Sequence, residues 1–145
     1  MSVFSFKNMK ISKKSQYGLR AMVYLAHPCF KNKVCTVKKI SKDEGIPFDF
    51  LEKIFSKLIK ANLVGAKKGA QGGYFLEKNP KKIKVGQIIK VLEGETAPVL
   101  CLAKEKKIFC PRRRKCLTKI LWQKLQEALD STLNSVTLAD LIKKQ

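Results

Sequence analysis

Two helical stretches joined by a glycine turn, with a glycine-rich hairpin directly behind them, constrain this chain more than any other feature. Thr36 is placed as an N-cap for a short helix through Glu44, and Gly45 as its C-terminal cap. Pro47 suits the first turn of a second helix running to about Asn62. Leu51, Ile54, Phe55, Leu58 and Asn62 form one face of it, while Asp49, Glu52, Lys53, Ser56, Lys57 and Lys60 form the other. The pair is a helix-turn-helix candidate. Leu63 to Lys67 and Tyr74 to Leu76 are expected strands around the turn Lys68–Gly73, so the hairpin has the position of a wing. The glycines do not form a nucleotide-phosphate loop, which needs a preceding strand and a helix opening at the last glycine.

Before this unit, Gly18, Ala21, Met22, Leu25 and Cys29 fall at three- and four-residue steps, predicting an amphipathic helix from Ser12 to about Phe30. Residues 1–8 carry no periodicity and form an expected loose tail. Asn79-Pro80 breaks the chain, Val85 to Leu92 is a short helix, and Gly94 closes it. Leu117, Leu121, Leu125, Leu129 and Leu133 then recur every four residues, with Ile120, Trp122 and Ala128 widening the apolar surface. So apolar a helix either packs wholly on its own chain or, the preferred expectation, pairs partly with its twin across a two-fold axis. Thr137 with Asp140 makes a capping-box start for a last short helix.

Charge narrows the partners. The 145 residues carry 31 Lys and Arg against 11 Asp and Glu, a net charge of +20. That surplus calls for a polyanion. Residues 1–90 hold 20 of the basic and 5 of the acidic residues, which puts the polyanion surface in the first part. No apolar run reaches the roughly 18 residues that span a bilayer, and no signal-peptide pattern is present. No nucleophile, base and orienting partner can be assembled, so an enzyme acting on a small-molecule substrate is not expected, nor is a membrane-surface role.

The chain's five cysteines, without a secretion signal, point to a reducing cytoplasm and to thiols or metal rather than disulfides. Three lie in CLAKEKKIFCPRRRKC, at C-x8-C-x5-C: Cys101, Cys110 and Cys116. Thiolates this close point to a soft-metal or iron–sulfur site. Cys29 is expected to be a buried packing thiol and Cys35 a loop thiol.

The motifs together resemble a known family. Met9-Lys10-Ile11-Ser12 opens a Tyr17-Gly18-Leu19 helix, and Phe50-Leu51-Glu52, Leu63-Val64 and Gly69 through Gly72-Gly73-Tyr74 follow. Val85-Gly86, Ile88-Ile89, the cysteine triplet, Leu117-Thr118, Trp122 and Thr137-Leu138 with Leu141 complete the pattern. From Met9 to about Lys143 the chain resembles the Rrf-type winged-helix regulators, the IscR- and NsrR-like proteins. The resemblance implies a mainly α fold with a small β-hairpin wing. It divides the chain into a tail (1–8), a winged helix-turn-helix head (9–94), a cysteine loop (95–116), and a dimerisation helix with a C-terminal helix (117–145).

It also implies a cytoplasmic homodimer that binds operator DNA as a repressor, controlled by a cluster that senses iron, redox state or nitric oxide. Cys101, Cys110 and Cys116 would be the cluster ligands, with [2Fe–2S] preferred over [4Fe–4S]. Asp49, Phe50, Glu52 and Lys53 occupy the base-facing start of the recognition helix, with Lys57 further along the same face; Lys67 and Lys68 occupy the wing. Glu52 can accept from cytosine N4, and Lys53 can reach guanine or a phosphate. The fourth ligand stays open: Lys119 stands where IscR-like members carry histidine, Gln16 where NsrR-like members carry a carboxylate, and His27 aligns with no ligand. Two alternatives stand beside this reading: three thiols that bind zinc or act as a redox switch on the same fold, and a non-specific RNA-binding protein.

Overall fold

The computed structural model describes residues 11–102 and 110–143. Its elements are α1 (Lys13–Ala26), α2 (Val37–Glu44), α3 (Phe48–Lys60), β1 (Val64–Lys67), β2 (Gly73–Leu76), α4 (Val85–Glu93), α5 (Lys119–Ser135) and α6 (Leu138–Ile142). Short 3-10 turns lie at Pro28–Phe30, Pro80–Lys82 and Leu100–Leu102. The architecture is mainly helical with one two-stranded antiparallel hairpin. The expected tail, residues 1–8, lies outside the described residues.

Local chemistry explains the boundaries. The Ser12 hydroxyl caps α1 by accepting from the Ser15 N–H, and Thr36 caps α2 by accepting from the Lys39 N–H at 3.1 Å. Gly45 ends α2 in the left-handed conformation at φ 63°. Two expected boundaries shift. His27 precedes a proline and leaves the helical region (ψ 137°), so α1 stops at Ala26 instead of running to Phe30. Asn62, expected on the buried face of α3, takes φ 57° and turns the chain out of the helix.

One core holds the head together. Ile54, Phe55 and Leu58 from α3, Met22 and Leu25 from α1, Ile40 from α2 and Ile88 and Leu92 from α4 are all buried. At Gly18 the helices meet so closely that a Cβ there would lie 2.1 Å from Leu92 Cδ1. The wing is tied to the same core. Its register pairs Val64 with Leu76 and Lys67 with Gly73. The Tyr74 ring stacks on Phe55 of α3 at 4.2 Å between centroids. Cys35 adds a bridge on the wing's inner edge, exchanging both backbone hydrogen bonds with Tyr74 at 2.9 and 2.8 Å.

The C-terminal part behaves differently. Leu138 of α6 is fully buried in the head, and the Val85 N–H donates to the Val136 carbonyl while the Leu138 N–H donates to that of Ile83. Between these anchors and the cysteine loop, α5 has no buried residue. Leu117 is 92% exposed, Ile120 64% and Leu121 58%, whereas Leu125, Leu129 and Leu133 are half-buried as α5 packs on α4, so the leucine face anticipated from the sequence is uncovered within one chain only at its N-terminal end.

Candidate nucleic-acid interface and cysteine site

The outer face of α3 is built by exclusion. With Leu51, Ile54, Phe55 and Leu58 taken by the core, helical geometry turns Asp49, Glu52, Lys53, Ser56 and Lys57 to solvent, and all five are exposed. Asp49 in the first turn and Lys57 and Lys60 in the last match the helix dipole. Phe50 is 41% exposed, and its ring packs edge-to-face on Tyr17 of α1 at 5.6 Å. It therefore braces the start of α3 while leaving one edge free. Sequence reasoning missed Phe48, 43% exposed beside it. The signal was available: two aromatics two positions apart on a helix cannot share its buried face.

Beyond α3, Lys67 and Lys68 are exposed at the hairpin turn. A Cβ on Gly72 would lie 2.2 Å from the Lys67 carbonyl oxygen, so this turn accepts only glycine there. The support for α3 comes from α1 and α2. The Tyr24 hydroxyl donates to Asp43 at 2.6 Å, and Arg20 pairs with Glu44 at 3.1 Å. The Tyr24 hydrogen bond, helped by Lys39, holds the Asp43 carboxyl below the usual carboxylate range; burial and the Asp43 contact push the Tyr24 phenol well above its own.

Of the three loop cysteines, Cys101 is exposed and Cys110 and Cys116 are half-buried. Cys116 sits just before α5, its sulfur 3.3 Å from the Thr118 hydroxyl. That hydrogen bond, then the backbone N–H groups of Thr118 and Lys119 and the Lys119 charge, lowers the thiol below its ordinary range. A ligand thiol must be deprotonated, so Cys116 suits a metal or cluster. Among the described residues, no three His, Cys, Asp or Glu side chains gather; residues 103–109, which link Cys101 to Cys110, lie outside them. Cys101, Cys110 and Cys116 are soft donors of the kind a metal or cluster takes, but the described residues do not bring them together. Neither Gln16 nor His27 supplies a fourth: the Gln16 amide donates to the Ile11 carbonyl, and His27 Nδ1 accepts from the Cys29 N–H, capping the turn.

The other two cysteines exchange their expected roles. Cys29 is exposed because the chain leaves the helix before reaching it. Cys35 is buried, because pairing with Tyr74 directs its side chain into the core, and burial raises its thiol.

Comparison with known proteins agrees with this architecture. A family model described as "Rrf2: Iron-dependent Transcriptional regulator" matches residues 11–144. The chain is 36% identical to the protein rrf2 of Nitratidesulfovibrio vulgaris, over 93% of this chain and 88% of that one. Among solved structures, IscR of T. potens superposes with a TM-score of 0.72 at 36% identity, covering 93% of this chain and 87% of that chain. The structure of CymR, described as the global cysteine regulator of B. subtilis, superposes with 0.73 at 36% identity, over 94% and 98%. The family model and CymR are named as regulators and not as enzymes, and no helix among the described residues is long and apolar enough to cross a membrane. With its helix-turn-helix, wing and trailing helix in the arrangement of these structures, the chain belongs to the Rrf2 family of transcriptional regulators.

Proposed function

We propose that this regulator is a homodimeric repressor whose grip on operator DNA is set by an iron–sulfur cluster on Cys101, Cys110 and Cys116. The observation that carries the DNA reading is the solvent face of α3, where Asp49, Glu52, Lys53 and Lys57 are exposed, as are Lys67 and Lys68 of the wing. Carboxylates on so basic a chain serve base recognition rather than phosphate contact: Glu52 accepts from an exposed base amino group, and the lysines hold the backbone. Residues 9–94 form the reading head in this proposal, 95–116 the sensing loop and 117–145 the dimer element. The uncovered Leu117, Ile120 and Leu121 support pairing through α5, which presents two α3 helices to one duplex.

When bound, the cluster supplies an iron centre whose oxidation state and ligands respond to the cell. The chain's own residues convey that state. Cys116 leads directly into α5, and α5 packs on α4, whose buried face meets α1 and α3. A change at the thiols can therefore shift the head only through differential DNA affinity of two arrangements.

A second reading, thiols that bind zinc or act as a redox switch, is favoured by the CymR likeness and by the ungathered ligands among the described residues. Protein purified without air decides between them. Iron and sulfide in the wild type, visible absorbance, and loss of both in Cys110→Ala support the cluster. Zinc alone, or no metal with operator binding that responds to thiol oxidation, establishes the second reading instead.

A further inference from the structure

The turn between Cys110 and Cys116 holds four consecutive cations, Arg112, Arg113, Arg114 and Lys115, all exposed. It is a built turn: the Arg113 N–H donates to the Cys110 carbonyl at 3.1 Å, and the Lys115 N–H to that of Arg112 at 2.9 Å. Among the described residues the ion pairs are Arg20–Glu44 and Lys39–Asp43, so none of the four has a carboxylate partner. Arg113 and Arg114 share an open cavity with Lys119 and Cys110. Like charges held this close in a fixed turn repel one another and gain most from a row of anions. Arginine's planar fork suits phosphate oxygens in particular.

The fold also indicates where this turn lies. Lys84 pairs with Thr137, and Gly86 packs on Asn134, so α5 runs back along α4 in the opposite direction. Gly94 to Thr96 share a groove with Gln126 and Asp130, leaving the first residues of α5 to project about 10 Å beyond the end of α4. That same end of the head carries the start of α3: Glu93 accepts from the Ser12 N–H, a Cβ at Gly18 would meet both Leu92 and Ile54, and Tyr17 holds Phe50. An overhang of about 10 Å is comparable to the roughly 12 Å width of a major groove.

We propose that Arg112–Lys115 is a phosphate clamp, a third DNA contact beside α3 and the wing, on the backbone bordering the groove that α3 enters. The clamp rests on the DNA-binding reading above and adds regulation to it. Because Cys110 and Cys116 bracket the turn, whatever occupies those thiols sets the angle of four backbone contacts. Sensing would then alter the number of phosphates engaged while the base-reading face of α3 stays unchanged.

The test compares full-length, air-free protein with R113Q/R114Q, and with R113K/R114K as the conservative variant, on a selected operator duplex, a random duplex and single-stranded RNA over a potassium chloride series. Each lost contact shallows the slope of log affinity against log salt by about 0.9. R113Q/R114Q should lose about 2 to 4 of slope per dimer on both duplexes, keep the operator-to-random ratio, and lose hydroxyl-radical protection at the footprint edges. R113K/R114K should restore most of the slope. An unchanged slope on both duplexes overturns the clamp even where the operator is still selected, and so does an effect confined to RNA. Should the wild type select no operator, the regulator reading fails separately, and the random-duplex slope still judges the clamp.

Discussion

Replacing Gly73 by alanine isolates the joint between the wing and the core. A Cβ at this position would stand 2.4 Å from the Cys35 carbonyl oxygen and 2.7 Å from its carbon. Both are backbone atoms of the bridge that exchanges two hydrogen bonds with Tyr74, so neither can yield as a side chain would. Two lost hydrogen bonds are worth about 1 kcal/mol each. With the crowding of the neighbouring chain, typically about 1–3 kcal/mol, the variant should lose about 3–5 kcal/mol. At about 2–4 °C per kcal/mol for a chain this size, the melting midpoint should fall by roughly 6–20 °C. Urea denaturation should show a lower midpoint at unchanged slope, and operator and random DNA should both bind more weakly as Lys67 and Lys68 lose their placement. Gly45→Ala is the comparison: its Cβ meets nothing, and only the left-handed backbone costs about 1 kcal/mol. A loss below about 0.5 kcal/mol for Gly73→Ala would refute the claim that the Cys35–Tyr74 bridge positions the wing.

Four further outcomes are expected. Glu52→Ala should relax sequence discrimination more than affinity, whereas Lys68→Ala should weaken all DNA and shallow the salt slope by about 1 per contact; equal effects of both on operator and random DNA would remove that division. Leu121→Asp should convert a dimer into monomer in sedimentation while keeping its helical circular dichroism, since Leu121 is 58% exposed within one chain; an unchanged sedimentation coefficient would rule out α5 as the interface. The Asp43 carboxyl is depressed by the Tyr24 hydroxyl, so its contribution to stability is complete above the usual aspartate value near about 3.9 and fades as pH falls through the lower folded value. The stability gap between wild type and Tyr24→Phe should accordingly narrow below about pH 4, and a gap constant to pH 2 would contradict the assignment. Alkylation of the native chain should modify Cys29 quickly and Cys35 only on unfolding, and equal rates by mass spectrometry would show the wing bridge to be open.

Periodicity and capping chemistry carry most of what the chain alone determines. The Leu51–Leu58 face of α3, the Thr36 and Thr137 caps and the Gly45 turn are local: each follows from residues within four positions of one another. The wing was legible because a glycine-rich turn stands between two short strand-like runs, and the structure adds that Gly72 has no room for a Cβ beside the Lys67 carbonyl. The leucine face of α5 was legible for the same local reason, though what covers it was not.

What only the tertiary structure decided depends on contacts between distant residues. Cys29 looked buried by its spacing, but Pro28 ends the helix first; Cys35 looked like a loop thiol until Tyr74, thirty-nine positions later, paired with it. Phe50 became a brace through Tyr17 of another helix, and Phe48 stayed open because the core had no place for it. The four cations after Cys110 are plain in the sequence, yet only the antiparallel run of α5 along α4 decides which end of the head the residues leading into α5 approach. Local pattern sets each residue's preferred backbone and face. Which faces meet, and which are left for a partner, is settled by close packing of elements far apart in the chain.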